Sequence, residues 1–238
     1  LERALGKGCP GYSPMALLGG LTDVSHLRPL RDQEAVVAAL AARPGAVEEL
    51  LAIPEEELGA EWRRSPTFPG RDLIQPYLDR YTYLAPRTLE LLDRRWDEDP
   101  TPPLIAIRRA CAGAAAGDPP ARAGGVASVE ASQRAAYETE RGRIAEWFSR
   151  VGPFPTPWRR RAFLRKVETA RALVWWREEM RTYSMRMYQQ VRRFSLAVGE
   201  RLVAEGELDA PGDIFFLRRD DALAAARRAP GRLPAREL

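Results

Sequence analysis

The chain has 238 residues, 45% of them hydrophobic, with 37 basic and 33 acidic side chains and a formal net charge of +4. This length is enough to bury one large core or two modest ones. The sequence contains no apolar run long enough to cross a bilayer, we expect no signal peptide, and its two cysteines lie far apart, so we predict a reduced, cytoplasmic protein without a membrane partner.

The first half of the sequence predicts a series of short helices. The segment RDQEAVVAALAAR, residues 31–43, has apolar residues at helical spacing and stops before Pro44. Prolines that suit a first helical turn open the next two segments, PGAVEELLA and PEEELGAEW. Further helical segments are predicted at residues 70–80, 87–96 and 104–116.

The second half predicts two longer helices after a loose stretch, GDPPARAGG, at residues 117–125. The first is amphipathic and covers residues 128–150, and the second covers residues 158–207. After Gly206 the segment DAPGDIFFL is predicted to be extended. A continuous apolar stripe follows the longer helix at steps of three and four, which is usually typical of core: Trp176, Met180, Tyr183, Met187, Val191, Phe194, Val198 and Leu202.

The predicted fold class is all-α, with little or no sheet, because no alternation of period two is long enough for one. We predict a single helical domain over residues 1–238, in which residues 1–116 and 126–238 could form two lobes joined by the loop at 117–125. Since the sequence begins at Leu1 and not at a methionine, we expect it to be part of a longer parent chain.

Several kinds of catalytic and cofactor site are disfavoured by the residue types present. His26 is the only histidine, and with Asp23 one helical turn earlier it is more typical of a capping or core contact than of a catalytic base. Two distant cysteines and one histidine do not predict a zinc site. No glycine-rich phosphate loop is present. We therefore predict no metal and no cofactor.

The densest basic cluster is WRRRAFLRK, residues 158–166, which has aromatic neighbours as a nucleic-acid groove would. The arginines that follow it are interleaved with glutamates along the same predicted helix. This pattern favours a solvated helix with ion pairs, so we predict no nucleic-acid partner.

Three stretches carry a family likeness: KGCPGYSPMALLGGLTDV, RYTYLAPRTLELLDRRWDEDP and REEMRTYSMRMYQQVRRFSLAVGERLVAEGELDAPGDIFFL. In this order they resemble the helical region of phosphoenolpyruvate-synthase-like enzymes, especially the antibiotic-binding domain of rifampin phosphotransferase. The resemblance implies an ATP-grasp domain and a phosphohistidine domain beside the helical one. Neither is recognisable in this sequence, so we expect that the chain alone is not a phosphotransferase.

The second stretch departs from the pattern Tyr-Gly-His-Arg-x-x-x-Glu. Tyr81 matches the tyrosine, whereas Thr82, Tyr83 and Leu84 replace Gly-His-Arg, and Thr88 replaces the glutamate. Leucine lacks a guanidinium group, and tyrosine cannot shuttle a proton at neutral pH as histidine can. The resemblance therefore implies a retained scaffold that has lost its coupling to phosphate chemistry.

Two functional hypotheses remain open. The first is a module that binds a bulky, apolar, natural-product-like small molecule, and its candidate residues lie on the long helix: Trp175, Trp176, Met180, Tyr183 and Met187. Of the two tryptophans, we expect Trp176 to be core and Trp175 to face the ligand. The alternative is a stand-alone, cofactor-independent cyclase or isomerase in polyketide biosynthesis, with Glu178, Glu179, Arg181 and Tyr83 as its candidate acid and base groups.

Overall fold

Helices account for most of the computed structural model, which describes residues 12–87, 89–116, 125–150 and 156–227. No strand occurs in these ranges, and the predicted all-α class is confirmed. Cys9, Thr88 and nearly all of the loop predicted at 117–125 lie outside the described residues. None of the helices within the described ranges is long and apolar enough to span a bilayer.

The helices follow one another with short connections. In chain order they are α1 (Pro14–Leu18), a 3-10 turn (Ser25–Leu27), α2 (Arg28–Ala41), α3 (Ala46–Ala52), α4 (Leu58–Arg64), α5 (Arg71–Arg80), α6 (Thr101–Ala115), α7 (Gly125–Arg150), α8 (Thr156–Ala204), a second 3-10 helix (Pro211–Phe216) and α9 (Arg219–Arg227). Except at residues 87–96, the predicted helices are present, with ends that differ by a few residues. The sequence patterns did not predict α1, the first 3-10 turn or α9.

The predicted helix at residues 87–96 is wrong, because this segment forms turns. The carboxylate of Asp93 accepts hydrogen bonds from the backbone N–H of Arg87 at 2.8 Å and from its guanidinium at 2.6 Å. Further along, buried Arg95 donates to the carbonyl of Glu90 at 2.9 Å. Side-chain bonds of this kind satisfy the backbone locally and compete with helix formation.

The predicted extended segment at residues 209–217 is also wrong, because Pro211–Phe216 forms a 3-10 helix. Asp213 accepts a hydrogen bond from the N–H of Ala210 at 2.8 Å, and Pro211 has a φ suited to the first turn. Ile214 from this helix is buried against Val198 and Leu202 of α8.

Buried apolar side chains form three clusters. The first is the largest and is built by α2 to α6, the turn that follows α5 and Met185 of α8, with Leu40, Leu50, Leu58, Ile74 and Leu104 among its fully buried members. The second joins α1, α7 and α8 through residues such as Leu17, Phe148 and Phe163. The third is the contact of the second 3-10 helix with the end of α8.

Between Glu179 and Arg192, the face of α8 toward the body of the protein is largely polar, although Met185 on this face is buried in the first cluster. Thr182, Gln189 and Arg192 are buried on this inner face. Gln189 donates to Asp97 at 3.1 Å, and Thr182 donates to the hydroxyl of Ser25 at 2.8 Å. These hydrogen bonds help to hold α8 against the body of the protein by its inner face. The apolar stripe therefore lies on the opposite, outer face of the helix.

The expectation that the apolar stripe of α8 is core is wrong for most of its length, because the stripe faces outward. Only its last two members, Val198 and Leu202, are buried. The other six, from Trp176 to Phe194, are between 44% and 57% exposed.

Candidate functional site

A groove of about 610 Å³ lies between the segment after α1, helix α7 and helix α8. Its walls are formed by Gly20, Leu21, Thr22, Arg134, Tyr137, Glu138, Glu168, Arg171, Ala172, Trp175 and Trp176. This volume lies in the range of small-molecule sites, which is about 300–1,000 Å³. The groove therefore has room for a drug-sized molecule.

Arg171 fixes the side of the groove that leads to α1. Its guanidinium donates to the carbonyls of Leu17 at 3.0 Å and Gly19 at 2.5 Å, residues more than 150 positions earlier in the chain. The same group lies 3.9 Å from the ring centroid of Tyr137, a cation–π contact. One arginine therefore joins α8, α7 and the segment after α1.

Tyr137 supplies a fixed polar group in this wall. Its hydroxyl donates to the carboxylate of Glu168 at 3.0 Å. Burial, together with this hydrogen bond, raises the pKa of Tyr137 above its ordinary value. The hydroxyl holds the carboxylate of Glu168 in place through this hydrogen bond.

Gly20 allows the segment after α1 to approach α7 closely. Its φ is +63°, and a Cβ at this position would lie 2.7 Å from the Cα of Arg134. Both the positive φ and the close approach exclude a side chain here. This contact sets the width of the groove on the side of α7.

Trp175 and Trp176 form the aromatic end of the groove, with ring centroids 5.3 Å apart in an edge-to-face arrangement. Trp175 is half-buried, whereas Trp176 is 55% exposed. The expectation that Trp176 is core is wrong, because the face of α8 that carries it points away from the body. Both rings line the groove.

The other three binding candidates lie further along α8 and are not part of this groove. Met180, Tyr183 and Met187 are each 57% exposed. They continue the outward stripe that begins at Trp176. The structure therefore divides the five predicted binding residues into two at the groove and three beyond it.

Glu178 contacts the only histidine of the chain. His26 Nδ1 lies 3.4 Å from Glu178 Oε2, and Arg177 donates to the same carboxylate at 2.9 Å. The hydroxyl of Ser25 donates to the backbone carbonyl of Glu178 at 3.1 Å, which anchors the first 3-10 turn on α8. His26 is half-exposed beside this contact.

Sequence reasoning set His26 aside because its partner was sought nearby, at Asp23. The partner is more than 150 positions later in the chain, and no local signal indicates it. Asp23 instead binds Arg28 at 2.9 Å, and this contact lowers the pKa of Asp23 below its ordinary value.

The remaining catalytic candidates lie in different surroundings. Glu179 is only 7% exposed and lies 3.5 Å from the guanidinium of Arg28. Arg181 is exposed. Tyr83 is buried in the first cluster, with the guanidinium of Arg186 5.0 Å from its ring centroid. Glu178 and Glu179 thus meet the first 3-10 turn and α2, whereas Tyr83 packs with the turn after α5.

A family model described as the rifampicin phosphotransferase fourth domain matches residues 3–178, well over half of the chain. The match contains the groove residues and ends within α8 at Glu178. Two of the three stretches that carry the resemblance lie inside it, while the third, from Arg177 to Leu217, lies almost entirely outside. No curated protein matches the sequence.

Proposed function

Since the chain belongs to the family of the rifampicin phosphotransferase fourth domain, we propose that it is a helical binding domain that holds a bulky apolar small molecule in the groove beside Trp175 and Trp176. The observation that carries the proposal is the placement of two adjacent indole rings at one end of a groove of about 610 Å³. Aromatic walls with a few fixed polar groups are typical of small-molecule sites.

The polar groups of the groove suit a ligand with a limited polar edge. Tyr137, Glu168 and Arg171 are already engaged with each other or with backbone carbonyls. Arg134 and Glu138 lie at the rim on α7, where they would meet the polar edge of a ligand. The indole rings would cover its apolar part.

Calorimetric titration tests the proposal, with rifampicin and the apolar dye 8-anilinonaphthalene-1-sulfonate as probes. Trp175→Ala and Trp176→Ala should each weaken binding at least about fivefold, which corresponds to roughly 1 kcal/mol for loss of an aromatic contact. Trp158→Ala is the matched control, because Trp158 is on the same helix, is 77% exposed and does not line the groove. No binding of either probe, or equal losses in all three variants, would contradict the proposal.

A second candidate function, acid–base catalysis on the bound molecule, is favoured by the contact between His26 and Glu178. Glu178 lies one helical turn after Trp175, on a neighbouring part of α8, and a half-exposed imidazole beside a carboxylate is a common proton-transfer pair. A cyclase or isomerase needs such a pair and no cofactor. His26→Gln and Glu178→Gln should then each abolish the conversion of a bound ligand into an isomer of equal mass, which chromatography detects. The affinity for the ligand should be unchanged in both variants.

A further inference from the structure

Helices α7 and α8 run antiparallel along the groove. Near the end of α7, the ring centroid of Phe148 lies 6.2 Å from that of Phe163 on α8. Earlier on α7, the hydroxyl of Tyr137 donates to Glu168, and its ring is contacted by the guanidinium of Arg171. Positions that come earlier on α7 therefore lie beside positions that come later on α8.

This register places Arg134 at the aromatic end of the groove. Arg134 precedes Tyr137 by about one turn of α7, and Trp175 follows Arg171 by about one turn of α8. Arg134 and Trp175 therefore lie at about the same level of the groove, and both line its walls. Glu138 lies one turn further along α7, toward the opposite end.

Arg134 has no carboxylate at ion-pair distance within the part of the chain that the structure describes. Glu130 and Glu138 lie one turn away from it on either side, where a helical ion pair could form. However, Glu130 pairs with Arg31, and Glu138 lies 3.6 Å from the guanidinium of Arg141. The exposed guanidinium of Arg134 is consequently available to a ligand at the aromatic end.

The other charged groups that line the groove already have partners. The guanidinium of Arg171 donates to backbone carbonyls of the segment after α1, and the carboxylate of Glu168 accepts from the hydroxyl of Tyr137. An anion beside Arg134 would gain a charge-assisted hydrogen bond and displace no ion pair of the described residues. A cationic ligand would instead have to compete with Tyr137 for Glu168.

We infer that the ligand of the groove is an aromatic acid, whose ring system packs against Trp175 and Trp176 and whose carboxylate pairs with Arg134. This inference rests on the proposed function, because it assigns the chemical class of the molecule that the groove holds. A guanidinium matches a carboxylate through two parallel hydrogen bonds, and apolar rings beside the pair reduce its screening by water. Arg134 is then a specificity-determining residue that selects acids over neutral and cationic molecules of the same shape.

The test uses the full 238-residue chain and three fluorescent ligands that share one ring system and differ in charge: pyrene-1-carboxylate, pyrene-1-methanol and pyrene-1-methylammonium. Fluorescence titration at neutral pH gives the dissociation constants for wild type, Arg134→Gln, Arg134→Lys and Trp176→Ala. Arg160→Gln is the matched control, because Arg160 is an exposed arginine of α8 that does not line the groove. Thermal unfolding checks that each variant is folded.

Wild type and Arg160→Gln should bind the carboxylate at least about threefold more tightly than the alcohol, as expected for one partly exposed ion pair, and the ammonium most weakly. Arg134→Gln should lose this preference and keep the wild-type affinity for the alcohol, whereas Arg134→Lys should retain the preference. Trp176→Ala should weaken the binding of all three ligands by a similar factor.

Failure of the inference and failure of the proposed function give different results. If Trp176→Ala weakens binding but the alcohol or the ammonium binds wild type as tightly as the carboxylate, the inference is overturned and the proposed function stands. The same conclusion follows if Arg134→Gln and Arg160→Gln change the preference equally. If no pyrene ligand binds, or if Trp176→Ala binds all three as wild type does, the proposed function fails and the inference fails with it.

Discussion

The guanidinium of Arg192 holds both carboxylate oxygens of Glu98 at 2.7 Å, although the two residues are 94 positions apart in the chain. The same arginine also donates to the carbonyl of Leu91. Its side chain is nearly inaccessible to solvent, whereas that of Glu98 is partly exposed. The pair therefore fixes the last third of α8 to the turns between α5 and α6 through a charge-assisted, two-point contact.

Removal of Glu98 should destabilise the protein. Glu98→Ala leaves the Arg192 guanidinium buried without its counter-ion, so the free energy of unfolding should fall by about 2–4 kcal/mol. Urea unfolding followed by circular dichroism measures this change. Glu146→Ala is the control, because its pair with Arg150 is exposed at both ends and should contribute less than about 1 kcal/mol. If the two variants lost equal unfolding free energy, the buried pair would contribute no more to stability than the exposed one.

Restoration of the family motif should destabilise the fold. The triple change Thr82→Gly, Tyr83→His and Leu84→Arg places a cation where Leu84 packs against the first cluster and removes the buried Tyr83 ring. An unpaired charge in such a position costs on the order of several kcal/mol. The melting temperature should fall clearly.

The control for the restored motif is Leu89→Arg, because Leu89 is 48% exposed and lies in the neighbouring turn. Its melting temperature should be close to that of wild type. If the triple variant also melted at the wild-type temperature, the arginine at position 84 would have to be paired or exposed to solvent. The hypothesis that this scaffold has lost the polar motif and its coupling to phosphate chemistry would then be refuted.

The two tryptophans of the groove should differ in their contribution to stability. Trp175 is half-buried, so Trp175→Ala should lower the free energy of unfolding by about 1–3 kcal/mol. Trp176→Ala should lower it by less than about 1 kcal/mol, since the ring is largely exposed. This order is the reverse of what the periodicity of the sequence predicts. Chemical denaturation of both variants decides between the two orders.

The stability of the protein should decrease in alkaline solution through Tyr81. Burial raises the pKa of Tyr81 first, and the hydrogen bond from its hydroxyl to Asp32 at 2.9 Å raises it further. The unfolded chain therefore ionises first, so this contribution is complete below about pH 10 and is lost as the pH rises from there toward the folded-state pKa.

The Asp32→Asn variant tests this alkaline effect. It removes the carboxylate beside the phenol, and the phenolate of Tyr81, followed by ultraviolet absorbance as the difference from Tyr81→Phe, should form at lower pH than in wild type. If the titration of Tyr81 were unchanged in Asp32→Asn, the carboxylate would not influence the tyrosine, and burial alone would account for the raised pKa.

The sequence patterns located the helices well where the helix depends on local information. Residues 31–43 and 128–150 show helical periodicity, and the helices found there begin at most three residues earlier and end within two residues of the prediction. The patterns failed at residues 87–96, because the bonds of Asp93 to Arg87 and of Arg95 to Glu90 replace helical hydrogen bonds. Side-chain competition of this kind is not visible in apolar spacing.

The candidate site could be predicted only in part. The sequence alone placed Trp175 and Trp176 on adjacent faces of a long helix and identified the outward residues as one continuous stripe. It could not supply the other walls of the groove, because Arg171 reaches carbonyls more than 150 positions away. It set His26 aside for the same reason, since the contact with Glu178 exists only after the first 3-10 turn packs on α8.

By itself the sequence determined the all-α class, the family resemblance and which residues share a side of α8, because these depend on residue identity and on the 3.6-residue turn. Only the tertiary structure decided which side of α8 faces inward. That choice depends on hydrogen bonds and ion pairs between distant segments, such as Thr182 with Ser25 and Arg192 with Glu98. These polar contacts, together with buried apolar residues such as Met185, hold α8 by its inner face, and the apolar stripe from Trp176 to Phe194 is left at the surface.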